Sequence, residues 1–283
     1  MDKLSEAIKK RVSCRTYSDK PIEENIRRQL EAIVKAAHEG PFGNRPKFKL
    51  LSMETVTPAQ WKKMGTYGVI KGARIFLAGI IRPGHMAMTD YGYCKEKIIL
   101  QATLLGLGTC WLGGTFQSDF FAQAAGLQPG ALMPTVTPLG YPASQKSLTE
   151  KLMRRFAGSD QRKPWKDIFF ADDFSRPLPE NAAGRYRAAL ENLRLAPSAS
   201  NKQPWRVLYN AEKKVFHFFL ERSQQYKMMG IAHLQDIDLG IAMSHFEITA
   251  REMGLKGSWS IKKDMPQEKM REYMVSWQEA EKN

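Results

Sequence analysis

Three short segments of this 283-residue chain hold residue types that could do chemistry together. Arg11-Val12-Ser13-Cys14-Arg15 sets two guanidinium forks around a hydroxyl in a turn, where free backbone N–H groups add further donors for a phosphate. The same residues also make a basic helix C-terminus that satisfies a helix dipole, and the pentapeptide alone does not separate the two. Ala196-Pro197-Ser198-Ala199-Ser200-Asn201-Lys202-Gln203-Pro204-Trp205 is more specific. Pro197, Ser198 and Ala199 let backbone approach a flat ligand, while Asn201 and Gln203 offer donors and acceptors suited to a planar, amide-rich ring. The third segment, Gly106 to Phe116 (GLGTCWLGGTF), ends a helix, enters a strand and doubles back at Gly113-Gly114. Paired glycines leave N–H groups unshielded for a ligand atom. A helix C-cap at Gly106 followed by a tight turn uses the same residues. It is not a phosphate loop, since no Gly-Lys-Ser/Thr follows and the Rossmann fingerprint is absent.

Other chemistry finds little support. His38, His85, His217, His233 and His245 have no metal-ligand spacing, and ordinary structural roles are expected of all five. Cys14, Cys94 and Cys110 fit neither a disulfide framework nor a zinc set. Cys110 and the methionines Met228, Met229, Met243 and Met253 read as packing residues.

The elements that must position these segments follow from hydrophobic spacing. Leu4, Ala7, Ile8 and Val12 mark one face of an opening helix. Pro21 starts a second, on which Ile22, Ile26, Leu30, Ile33, Val34 and Ala37 recur at helical intervals. Phe48 to Met53 and Ala73 to Ile81 read as strands, the latter apolar enough to be buried. Asp90 to Leu105 reads as a helix. Further on, the pattern predicts a helix over 182–193, a loop over 196–203 and strands over 205–210 and 215–220. A long helix over 236–253 follows, and a closing segment over 255–261. Residues 141–173, polar and rich in Lys and Arg, read as the join. Consecutive strands with no long helix between them imply an α+β fold with antiparallel or mixed sheets.

This order is a repetition. Lys20-Pro21-Ile22 through Gly40-Pro41 aligns without gaps on Arg176-Pro177-Leu178 through Ala196-Pro197, at a spacing of about 156 residues. Asp90-Tyr91-Gly92 answers to Asp238-Leu239-Gly240, and Gly106 to Trp111 to Gly254 to Trp259. The copies differ where the chemistry lies. Arg11, Ser13 and Arg15 fall on Asp167, Phe169 and Ala171, which have neither the charges nor the hydroxyl. Pro197 to Trp205 answers to Pro41 to Phe48, which keeps an Asn but lacks the Pro-Ser and Gln-Pro-Trp elements.

Composition sets the outer bounds. The net charge of +14 suggests an anionic partner, namely nucleic acid, a membrane surface or a phosphate-bearing cofactor. The basic residues are scattered among acids, however, and no basic run is interleaved with aromatics, so nucleic acid is not expected as a partner. The longest apolar run, Ile75 to Ile81, is far short of the roughly 20 residues that span a bilayer. No membrane association is expected, and the polar start and unpaired cysteines suit a reducing, cytoplasmic setting.

Together, Arg11-x-Ser13-x-Arg15 with Tyr17 and Pro21, Ala196-Pro197-Ser198-x-x-Asn201-x-Gln203-Pro204-Trp205, Leu105 to Gly114 and Leu139-Gly140-Tyr141-Pro142 resemble the nitroreductase-like, FMN-dependent oxidoreductases. The resemblance covers nearly the whole chain, and PS-x-x-N-x-QPW is its most specific string. It implies an α+β nitroreductase-like fold of two pseudo-symmetric lobes, 1–163 and 164–283, each with a mixed or antiparallel sheet flanked by helices. Family members are usually homodimers with FMN between subunits. Both lobes here lie on one chain, as in an internally duplicated branch of nitroreductases, and one flavin in the cleft between lobes is expected, a monomer sufficing to form the site. By resemblance, Arg11, Ser13 and Arg15 hold the phosphate and ribityl end, with Arg15 also at the pyrimidine edge. Arg162 completes the phosphate clamp, with Arg154 and Arg155 as competing candidates. Pro197, Ser198, Ala199, Asn201 and Gln203 border the ring, and Gly113 and Gly114 aim N–H groups at its N5/O4 edge. The implied activity passes a hydride from NADH or NADPH through the flavin to a small oxidised acceptor, such as a nitroaromatic or quinone, by ping-pong turnover. A flavin store or sensor without turnover is the alternative.

Overall fold

The computed structural model describes residues 3–53, 69–113, 118–145 and 161–280 apart from 230–232, 266, 267 and 269, with 147, 150, 152 and 158 described singly. Two compact units emerge, Met1–Asp160 and Gln161–Asn283.

In the first unit, α1 (Leu4–Lys10) and α2 (Glu24–Ala36) precede β1 (Lys47–Ser52) and β2 (Ile75–Ile80). Helix α3 (Ala87–Leu104), β3 (Gly108–Thr109), α4 (Ser118–Ala125) and β4 (Val136–Gly140) follow. The sheet order is β1-β2-β4-β3, antiparallel throughout. Alternation along β2 explains its central place. Ile75 and Leu77 pack with Leu30 and Val34 of α2 and Ile98 and Ala102 of α3. Phe76 and Ala78 face the other way, toward Phe121 of α4, Leu112 and Val136.

The second unit begins with β5 (Phe169–Ala171), then a 3₁₀ stretch Glu180–Tyr186 leading into α5 (Arg187–Arg194). Strands β6 (Trp205–Asn210) and β7 (Val215–Leu220), helices α6 (Gln224–Met228) and α7 (His233–Glu252), and strands β8 (Gly257–Ser260) and β9 (Glu272–Glu279) complete it. The sheet order is β5-β6-β7-β9-β8, with β5 parallel to β6 and every other pair antiparallel. Remove β5, and the two sheets share one order and one set of directions. Tyr186, Phe216, Phe246, Trp259 and Trp277 form an aromatic core between this sheet and its helices.

The fold is thus α+β, with an antiparallel sheet in one unit and a mixed sheet in the other. Several expectations are corrected. The first helix stops at Lys10, so Val12 lies beyond it and is 50% exposed. The helix expected over 182–193 is broken at Gly184, whose φ of +52° is left-handed, and only Arg187–Arg194 is α-helical. The segment 141–173 is no plain join, because Phe169–Ala171 is a sheet strand. Helix α4 and strands β4 and β9 were not among the expected elements.

Candidate functional site

In the first unit the chain leaves α1 in extended conformation at Arg11, with φ −65° and ψ 120°. It then adds itself to the sheet edge. Ser13 bridges Thr109 of β3 in parallel, and the Cys14 N–H donates to the Thr109 carbonyl at 2.8 Å. Tyr17 bridges Pro142, and its hydroxyl donates to the carbonyls of Cys14 at 2.7 Å and Pro138 at 3.2 Å. The Arg-Ser-Arg segment, the glycine-rich segment and the Leu139 to Pro142 string therefore converge on one sheet edge. Gly108 makes the approach possible: a Cβ there would sit 2.8 Å from Cys14 Cβ and Sγ. Gly106, with φ +78°, ends α3, and its N–H donates to the Thr103 carbonyl at 3.0 Å. Gly113 is half-buried and has no left-handed φ. Gly114, Arg154 and Arg155 lie outside the described residues.

The side chains of this segment are specific in what they lack. Arg11 is 8% exposed, and its Nε and Nη1 are buried without a hydrogen-bond partner. Nη1 of Arg15 is buried and unpartnered as well. The acid near Arg11 is Glu96 of α3, whose Oε1 lies 3.8 Å from Arg11 Nε. Glu96 accepts a 2.7 Å bond from Trp111 Nε1 at its other oxygen. Ser13 hydrogen-bonds the Cys110 thiol, which burial pushes up against the opposing effect of Arg15 and Arg11. Cys110 is therefore a neutral packing thiol beside two cations. Buried donors on two arginines, aimed from one sheet edge, fit an anionic group.

In the second unit, the loop after α5 is strained. Ser200, Asn201 and Gln203 have φ of +46°, +53° and +47°, a conformation that costs each non-glycine residue roughly 1–3 kcal/mol. The surroundings over-determine it. Ser198 Oγ accepts from the Gln203 N–H at 2.8 Å, Ala199 N–H donates to Asp238 Oδ1 at 2.9 Å, and the Tyr226 hydroxyl donates to Ser200 Oγ at 2.8 Å. Pro197, Ser198 and Ala199 are half-buried and Ser200 exposed, which leaves backbone open to a flat ligand.

The amides behave differently from expectation. Gln203 is 3% exposed; its Oε1 accepts from the Lys163 N–H at 2.8 Å, and its Nε2 donates to the Asn201 carbonyl at 3.2 Å. Gln203 thus braces the loop and has no free end for a ring. Asn201 Nδ2 donates to the Gln161 carbonyl at 3.0 Å, and its Oδ1 accepts from Arg162 Nη1 at 3.4 Å. Arg162 also donates from Nε and Nη2 to the Leu195 carbonyl, at 3.3 and 3.2 Å. These contacts place Arg162 on the loop of the second unit.

Three site residues escaped the sequence reading. Glu96 and Lys95 look like a solvated helix face, yet both are wholly buried. Lys95 Nζ donates to Thr135 Oγ1 at 2.8 Å and lies 4.9 Å above the Trp111 ring. Burial holds its amine well below the usual lysine range. Asp238 was visible only as a repeat of Asp90, and no sequence signal gave it the loop. Among the described residues, no group of three or more His, Cys, Asp or Glu could hold a metal, and no helix is long and apolar enough to cross a membrane.

Two sheets of one strand order, β5 aside, with an arginine–serine segment on one sheet edge and a small-residue loop anchored on a buried aspartate, make up a nitroreductase-like fold. A family model described as "Putative TM nitroreductase" matches residues 3–250, and the chain belongs to that family. A crystal structure from Thermotoga maritima MSB8, described as a nitroreductase, is similar with TM-score 0.60 and 20% identity, covering 98% of this chain and 93% of that one. At that identity the likeness is one of fold. An "FMN-dependent Nitroreductase" from Clostridium difficile R20291 matches at TM-score 0.40 and 19% identity, over 50% of this chain and 88% of that one, too distantly to carry an argument. Among the curated proteins none matches.

Proposed function

We propose that this protein is an FMN-dependent NAD(P)H oxidoreductase that reduces a small oxidised acceptor, a nitroaromatic or a quinone. The observation that carries the reading is the set of buried, unpartnered guanidinium nitrogens on Arg11 and Arg15. A phosphomonoester satisfies donors of that kind, and the family supplies the redox class. FMN, when bound, would accept a hydride from NADH or NADPH and deliver two electrons to the acceptor. The chain's own residues bind and orient. Arg11 and Arg15 would neutralise the phosphate, and Ser13 would add a hydroxyl. Pro197, Ser198 and Ala199 would offer a close backbone surface to the ring, while Gln203 and Arg162 keep the loop in shape. Gly113 and Gly114 would offer backbone N–H groups to the ring, as the family resemblance implies. No side-chain nucleophile or general base is required. Because the arginine–serine segment and the small-residue loop each occur once, one FMN per chain is expected.

The test is reconstitution. Purified protein titrated with FMN should show flavin absorbance saturating at one equivalent, bleached by NADH or NADPH and restored by a quinone or nitroarene. Absence of flavin bands after reconstitution would sink the reading. A bound flavin that neither nicotinamide bleaches would replace it with the store or sensor.

A further inference from the structure

The chain contains one loop design in two settings. In the first unit the loop 40–46 is closed on an aspartate. Asp90 Oδ1 accepts from the Phe42 N–H at 3.1 Å, and Oδ2 accepts from the Asn44 N–H at 3.0 Å and Asn44 Nδ2 at 2.8 Å. Both carboxylate oxygens are satisfied, and the asparagine amide is spent on Oδ2 and on the His85 carbonyl. The loop of the second unit is one residue longer, Pro197 to Trp205 against Pro41 to Phe48, and there Ala199 takes the place of Phe42, Asn201 that of Asn44 and Asp238 that of Asp90. Only the first contact survives, Ala199 N–H to Asp238 Oδ1. Asp238 is 3% exposed, and its Oδ2 has no hydrogen-bond partner. The Asn201 N–H instead donates to the Ser198 carbonyl at 2.9 Å, and the amide turns to Gln161, Arg162 and Gln203.

Besides that extra residue, one methyl group separates the two settings. At Gly40 an added Cβ would lie 2.2 Å from Asp90 Cγ and 2.4 Å from Oδ1, so the closed form tolerates only glycine. The residue aligned with Gly40 is Ala196, which is fully buried and keeps its methyl. We propose that Ala196 and Asp238 are the positioning residues of the loop 197–203. The Ala196 methyl holds the aspartate off Asn201, and the loop stays in the form that presents Pro197, Ser198 and Ala199 to a ligand. Burial of an acid with one oxygen uncompensated agrees with this, since the Asp238 carboxyl is raised well above the ordinary carboxylate range. The inference also accounts for the asymmetry of the copies: the loop of the first unit is closed on both oxygens of its aspartate, and that of the second on one.

The value of the pair for flavin binding rests on the proposed function; the geometry does not. Ala196→Gly should let the loop close as in the first unit, with Asn201 N–H and Nδ2 on Asp238 Oδ2 in the crystal structure of the flavin-free variant. FMN affinity should then fall about tenfold, the scale of the net hydrogen bonding that reopening the loop must give up. Asp238→Asn keeps the acceptor for Ala199 but presents an NH₂ to Asn201, so the double variant should regain the wild-type loop and affinity. An Ala196→Gly structure in which Asn201 still bonds Ser198 and Gln161 overturns the proposal. So does a double variant that binds FMN no better than Ala196→Gly. Should the wild type bind no FMN at all, the flavin reading falls, and the structures of the variants still decide the role of the pair.

Discussion

Glu96 sits between two groups that would be costly to strand. Trp111 donates to one oxygen at 2.7 Å, and Arg11 Nε lies 3.8 Å from the other, too far for a full hydrogen bond. Breaking a buried pair by removing one partner costs about 3–5 kcal/mol, so Glu96 pins Arg11 while leaving its donors free for an anion. Burial drives Lys95, next in the helix, toward its neutral form. Its amine is wholly buried and bonded to Thr135, and desolvation holds it below its ordinary value of about 10.4. The sign follows from proton counts. Between the lowered folded value and the ordinary one, the unfolded chain binds a proton that the folded chain does not, so stability rises with pH. Lys95→Met should flatten that rise, by up to about 1.4 kcal/mol per pH unit. Tyr91, which donates to the Thr135 carbonyl at 2.9 Å, should keep that bond in the variant. Urea midpoints at pH 7, 8 and 9 read the slope, and equal slopes in both proteins would show that Lys95 is charged when folded. None of this was legible in the sequence. Arg11-x-Ser13-x-Arg15 announced itself by type and spacing, whereas Lys95 and Glu96 differ from surface residues only in what α3 buries.

At the level of elements, the site rests on a strand of two residues. β3 is only Gly108–Thr109, yet it carries the pairing of Ser13 and Cys14 that fixes the arginines. Gly108→Ala tests that join. The new methyl would meet Cys14 Cβ and Sγ at 2.8 Å and Pro142 Cγ at 3.1 Å, and Cys14 cannot retreat without losing its bond to Thr109. Overpacking of this kind costs about 1–3 kcal/mol. The thermal midpoint should drop accordingly, and an unchanged midpoint would mean that the segment after α1 is not bound to β3. What the sequence revealed at this scale follows physical contrast. β6 and β7 were legible to the residue because apolar, β-branched and aromatic side chains fill them between clear turns. β9 was not, since Glu272 and Glu279 at its ends and Gln278 beside them mimic a solvated tail. β5 was hidden for another reason: three residues of strand inside a basic stretch leave no period to detect.

For the whole molecule, the repeat sets topology and its lapses divide the candidate segments between the halves. Both halves build the same four-strand order, but only the first keeps the cationic segment and only the second keeps the small-residue loop in an open setting. If the arginines recognise the phosphate, then FMN and riboflavin, identical in the ring, must differ sharply. A ligand that binds only the folded chain adds about 2.7 kcal/mol at a hundredfold excess over its Kd. FMN at such an excess should therefore raise the thermal midpoint by several degrees, while riboflavin at equal concentration leaves it nearly unmoved. The net charge of +14 adds a long-range pull on the phosphate that salt should weaken. Added salt should accordingly narrow the gap between the two ligands without closing it, because buried donors on Arg11 and Arg15 are screened little. Equal stabilisation by FMN and riboflavin at low salt would place the phosphate in solvent and remove the arginines from the site.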